Sequence, residues 1–129
     1  MWTYNPHVGG KTISFAALAA TPLVLGLLSF AVSPLLEEIL FRGFVLKELL
    51  GLWPLAIANV VNSLFFVAVH LPYWLSHGGS TRPVAANCAG IFLFSLLAGW
   101  LFAKSRCLWP PTLAHIANNI LAALLVARA

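Results

Sequence analysis

The chain has 129 residues, of which 61% are hydrophobic and 8% charged, with a formal net charge of +4. That apolar share exceeds the roughly 45–50% of soluble domains and excludes a soluble globular protein, while the length leaves room for one domain. The seven basic residues (Lys11, Arg42, Lys47, Arg82, Lys104, Arg106, Arg128) are scattered singly, so they form no stripe for nucleic acid and read as topology determinants of a membrane protein.

Residues 13–32 contain no charge and suit one bilayer crossing of about 20 residues, kinked at Thr21-Pro22. A cleaved signal peptide is the rival reading, but the apolar run continues past the small residues Ala17, Ala19 and Ala20. Pro34, with Ser33 as its cap, is expected to begin a second, short helix that runs to about Leu50. A third helix is expected from Trp53 to about His70, stopping before Pro72. The Pro- and Gly-bearing stretch from Leu71 to Asn87 reads as a loop, partly re-entrant. A fourth helix is expected from Cys88 to Ala103, and a fifth after Pro110-Pro111 to about Val126. Cys88 and Cys107 then lie about 28 Å apart along one helix, which excludes a disulfide between them. The expected fold class is all-α: a polytopic membrane bundle of about five hydrophobic helices around an intramembrane polar site. Residues 1–33 hold the tail and first crossing, and 34–129 the core.

With these boundaries Lys11, Lys47, Lys104 and Arg106 share one side against Arg82 and Arg128 on the other, which places the N-terminus in the cytoplasm. The tryptophans and tyrosines fall mostly near helix ends, as an aromatic belt would. His7 and His77 lie in a tail and a loop and read as solvated.

Ionisable groups at membrane depth cost a few kcal/mol each and usually face a protein interior or a functional cavity. Glu38 and Arg42 stand four apart, in the better orientation for a same-face pair on a helix. Glu37 points about 100° away and is less naturally neutralised by that arginine. Asn62, Phe66 and His70 recur at every fourth position of the third helix, and His115 and Asn119 share a face of the fifth. A carboxylate beside a histidine can deprotonate water, and a second histidine with an amide can stabilise the oxyanion of a carbonyl under attack. That set suffices to hydrolyse an amide bond. Taken singly, each feature also has a structural reading: Glu38–Arg42 as an orienting ion pair, His70 as a helix-end histidine, His115 and Asn119 as interhelical hydrogen-bonding groups.

The combination Glu37-Glu38-x-x-x-Arg42, completed by Phe41-Arg42-Gly43, then Phe66-x-x-x-His70, then His115-x-x-x-Asn119 resembles the three motifs of the CPBP family. These are the CAAX proteases and bacteriocin-processing enzymes also called the ABI family, glutamic-type intramembrane proteases. The resemblance covers about residues 34 to 127. It implies that Glu37 activates water together with His70, that His115 and Asn119 stabilise the oxyanion, that Glu38 and Arg42 support the first motif, and that Phe66 packs beside the site. It further implies a metal- and cofactor-free endopeptidase, multi-pass in a bacterial or archaeal cell membrane, acting on a membrane-anchored protein or peptide. With fewer helices than larger relatives, a homo-oligomer or a partner membrane protein is expected to complete the cavity wall.

Other functions fit the same residues. Glu37, His70 and His115 could form a His₂-carboxylate set for zinc, although no H-E-x-x-H helix is present. The polar cluster could bind a peptide without cutting it, as a non-catalytic or immunity module, or it could carry protons or ions. Measured from the expected helix ends, Glu37 and Asn119 lie about 15 Å deep but His70 about 25 Å, an offset the boundaries leave unexplained.

Overall fold

The computed structural model describes residues 7–8, 11–12, 25–26, 28–76 and 84–126. A two-residue antiparallel pairing joins β1 (His7–Val8) to β2 (Lys11–Thr12). Every other described element is helical. Helix α1 is one contiguous run over residues 28–50, composed of Leu28–Val32, Ser33–Glu38, Ile39–Leu46 and Lys47–Leu50, the first and third in the wider π geometry. It is followed by α2 (Leu55–Ser76), α3 (Val84–Ser105) and α4 (Trp109–Val126).

The all-α expectation holds, but several boundaries move. No break separates a first from a second helix at Ser33-Pro34: Val32 is itself helical, at φ −77° and ψ −44°, and Ser33 makes no capping hydrogen bond. Proline normally collides with the carbonyl four residues back, and the π turn just before it relieves that collision by widening the helix. The expected division at 33/34 therefore falls inside a helix, and the basic-residue count loses the reversal that put Lys11 on the side of Lys47. Most of the expected first crossing lies outside the described residues.

Helix α2 also runs through its proline, ending at Ser76 with Pro72 inside it. The proline removes one amide donor, freeing the carbonyl of Ala68, but apolar helices tolerate this. Of the expected loop from Leu71 to Asn87, the part up to Ser76 belongs to α2 and the part from Val84 to α3, and the rest, His77 included, lies outside the described residues. Helix α4 takes in Pro110 and Pro111 in its first turn, where the missing amide hydrogens have no intrahelical partner to lose. Cys88 and Cys107 are both free, as expected.

The burial pattern is that of a protein whose outer solvent is lipid. Among the described residues, eight buried side chains are polar or charged and five are hydrophobic, the reverse of a soluble core. Outward-facing positions are instead large and apolar, including Leu36, Leu40 and Phe44 on α1, Leu64, Phe65 and Val69 on α2, and Leu93 and Leu97 on α3. By length and composition, α2 and α3 are each able to cross a membrane.

Helix α1 packs on α2, α3 and α4, and α3 packs on α2 and α4, whereas the backbones of α2 and α4 stay apart. Side chains of α2 and α4 meet over α1, and the partly exposed space that Glu37 and His70 border there is the cleft of the site. The α2–α3 contact is close because Gly99 lies against Asn59, whose amide donates to the carbonyl of Leu96 at 2.8 Å.

Candidate active site

Two adjacent glutamates of α1 enter different surroundings because a helix turns about 100° per residue. Glu38 is completely buried and its Oε1 accepts from Arg42 Nη1 at 3.1 Å and from His115 Nδ1 at 2.8 Å. Arg42, also fully buried, sends Nη2 across to α3, donating to the Ser95 carbonyl at 3.1 Å and to Ser95 Oγ at 2.8 Å. A buried carboxylate and guanidinium are each expensive alone, and here each has charge-assisted partners on other helices. The pair therefore ties α1 to both α3 and α4.

Glu37 faces the cleft. Its Oε1 accepts from Ser33 Oγ at 3.0 Å, one turn back on the same helix. Its Oε2 is buried without a hydrogen-bond partner, lying 3.6 Å from His70 Nε2 and 3.7 Å from His115 Nε2. Both separations exceed hydrogen-bonding distance. Glu37 and His70 remain 28% exposed while His115 is 6% exposed, so the first two are accessible from outside the bundle and the third is enclosed.

Hydrogen bonding fixes which nitrogen of each imidazole faces Glu37. His70 Nδ1 lies 2.7 Å from the carbonyl of Phe66, which can only accept, so Nδ1 carries a proton and in the neutral ring Nε2 presents its lone pair. His115 Nδ1 is likewise committed to the Glu38 carboxylate, leaving Nε2 towards Glu37. Phe66 sits at the hub and is fully buried. Its ring meets the Arg42 guanidinium at 4.7 Å, Phe41 edge-on at 4.8 Å, the His70 ring at 4.7 Å and the His115 ring at 5.9 Å. The aromatic thus holds both histidines and the arginine in register.

The depth offset of the sequence reading is absent from the structure: Glu37 Oε2 lies 3.6 Å from His70 Nε2 and 3.7 Å from His115 Nε2, so the three residues stand at one level of the bundle. The α3–α4 turn dips towards the middle, with Leu108 packed at Gly43, and so lowers the start of α4. His115 then arrives level with Glu37.

Six of the seven expected site residues, Glu37, Glu38, Arg42, Phe66, His70 and His115, are joined in one cluster. Asn119 is one turn beyond His115 and half-buried, and among the described residues no hydrogen bond links it to the others. Sequence reasoning read Ser33 only as a helix cap and did not single out Ser95. Trp74, near the end of α2, lies beside His70 with ring centroids 5.9 Å apart. Phe94 of α3 lies against the other face of the site, 4.9 Å from the His115 ring. Asn62, predicted on the His70 face, is fully buried with neither amide atom partnered.

A family model, type II CAAX prenyl endopeptidase Rce1-like, matches residues 19–121. The match spans all seven expected site residues. No curated protein and no solved structure matches the chain.

Proposed function

Because the chain belongs to the Rce1-like family of type II CAAX prenyl endopeptidases, a membrane-embedded family of proteases, we propose that it is a multi-pass intramembrane endopeptidase that uses Glu37 and His70 to activate water. The observation that carries this reading is the partnerless Glu37 Oε2, set 3.6 Å from His70 Nε2 and 3.7 Å from His115 Nε2. A water seated there can donate to the carboxylate and to His70 at once.

The water oxygen adds to the scissile carbonyl carbon while its proton passes to Glu37. The carbonyl oxygen gains negative charge and needs a donor. His115 has its Nδ1 proton committed to Glu38, so it can donate from Nε2 only as an imidazolium, whose charge the Glu38 carboxylate balances. Asn119, one turn further along α4, is the second donor once substrate fills the cleft. The carbon–nitrogen bond then breaks, and the proton on Glu37 moves to the departing nitrogen. A peptide segment reaches these groups through the cleft between α2 and α4, which His70 and His115 line. Its substrate is a membrane-anchored protein or peptide, since the cleft opens within an apolar outer surface.

Glu37 Oε2 faces His70 Nε2 at 3.6 Å and His115 Nε2 at 3.7 Å, a carboxylate with two imidazoles that is also the donor set of a zinc site, so the metal-free reading is tested directly. The glutamate mechanism is tested by co-expressing candidate membrane-anchored substrates with wild type, Glu37→Gln and His70→Ala, and by measuring zinc in the purified protein. Cleavage falls by about a hundredfold or more in both variants of a zinc-free protein. Full activity of Glu37→Gln, or loss of wild-type activity with a chelator, rules this mechanism out.

A further inference from the structure

A second site lies at the end of the bundle where α1 meets α2 and α3 meets α4. A cavity of about 970 Å³ opens there, lined by Lys47, Leu50, Leu55, Phe102, Arg106 and Trp109 among others. It contains none of the residues of the cluster around Glu37. Its origin is the same dip that levels His115 with Glu37: the α3–α4 turn sits against Gly43, well short of the α1–α2 turn, and leaves a recess between them.

Two features of the recess point to a ligand. Its lining contains the cations Lys47 and Arg106 but no carboxylate, and neither cation forms an ion pair with a described residue. Glu48, next to Lys47, is exposed and does not line the recess. In addition, Arg106 adopts φ +55°, where its amide donates to the Phe102 carbonyl at 2.8 Å and closes α3. Glycine is the unstrained residue for that closing position. An arginine there accepts backbone strain and brings a guanidinium to the recess.

The remaining wall is apolar and continuous with the lipid-facing surface, since Leu50, Leu55 and Trp109 are all exposed. We infer that this recess holds an anionic phospholipid, its phosphate on Lys47 and Arg106 and its acyl chain against Leu50, Leu55, Phe102 and Trp109. Basic pockets between membrane helices on the cytoplasmic side bind such headgroups, and fixed cations beside apolar walls match their two chemistries. The acyl chain distinguishes this ligand from a free phosphate. The inference needs only a membrane-embedded chain and stands independently of the proteolytic reading.

The test purifies the full chain from bilayers of phosphatidylcholine containing a minor fraction of phosphatidylglycerol and measures, by native mass spectrometry, the ratio of the two lipids retained. Wild type is enriched in phosphatidylglycerol over the bilayer. The double substitution Lys47→Gln with Arg106→Gln lowers that enrichment about thirtyfold, as two lost surface cations should. Lys104→Gln, a basic residue at the same end but outside the lining, leaves it unchanged. Arg106→Gly, which suits the backbone conformation, lowers it without disturbing the turn, so a failure of the double variant to fold does not obscure the result. Enrichment unchanged in Arg106→Gly and in Lys47→Gln overturns the inference. So does displacement of the lipid by millimolar inorganic phosphate alone, which would mark a phosphate site. A raised KM for peptide substrate with lipid retention intact would assign the cations to a substrate carboxylate and overturn it equally.

Discussion

His115 Nδ1 donates to Glu38 Oε1 at 2.8 Å, a bond that joins α4 to α1 and decides which nitrogen of the imidazole faces Glu37. Replacing Glu38 by glutamine keeps the shape but removes the charge that balances an imidazolium and the partner of the buried Arg42. Glu38→Gln is expected to reduce kcat by about a hundredfold, with little change in KM. It is also expected to destabilise the protein by about 3 kcal/mol or more, because a guanidinium is left buried and unpaired. Steady-state kinetics together with thermal unfolding in detergent check both parts. A variant as active and as stable as wild type would show that the Glu38–Arg42–His115 chain is dispensable.

Ser33 acts one step further out. Its hydroxyl donates to Glu37 Oε1 at 3.0 Å, which turns Oε2 towards the two imidazoles. Ser33→Ala removes one donor to a half-exposed carboxylate, so the expected loss is in kcat, about tenfold, with KM and unfolding temperature near wild type. Ser33→Thr keeps the hydroxyl and is expected to retain most of the activity. Equal loss in both variants would point to helix packing at this position instead of orientation of Glu37.

The site was legible in the sequence because helical spacing survives any error in helix ends. Glu38 and Arg42, Phe66 and His70, and His115 and Asn119 share faces whatever the boundary, and a charge among leucines advertises itself. The boundaries were misread at Pro34 and Pro72 for one physical reason. Proline as a helix stop is a rule for chains in water, whereas an apolar helix gains more by continuing, through a π turn at the first and a single lost donor at the second. Ser95 was invisible, and Ser33 was legible only as a cap, since a lone hydroxyl in an apolar helix satisfies itself on its own backbone as readily as it partners another group. The recess at the bundle end was invisible for a different reason, since it arises from how deeply the α3–α4 turn sits and no local pattern encodes that.

Gly99 tests the packing that holds α2 to α3. A Cβ at this position would collide with Asn59 Oδ1, whereas one at Gly90 would meet nothing within 4 Å. Asn59 cannot swing aside freely, because its amide nitrogen is bonded to the Leu96 carbonyl. Gly99→Ala is therefore expected to cost about 1–3 kcal/mol, read as a lower apparent Tm, with Gly90→Ala neutral or slightly stabilising. Adding Asn59→Ala to Gly99→Ala removes the colliding amide and should recover part of the loss. Equal stability of the two alanine variants would mean that α2 and α3 are not packed as described.

Cys107 offers a way to decide orientation. It is exposed in the α3–α4 turn, at the end that also carries Lys47, Lys104 and Arg106, while Cys88 belongs to the opposite half of α3. Both cysteines are free, so each can be labelled once the other is replaced by serine. The three basic residues at that end, Lys47, Lys104 and Arg106, predict that it faces the cytoplasm. A membrane-impermeant thiol reagent applied to intact cells is expected to leave Cys107 unmodified in Cys88→Ser, and to label it after the membrane is permeabilised. Labelling of Cys107 from outside would invert the protein, putting the recess with Lys47 and Arg106 on the outer leaflet and requiring its phospholipid to come from there.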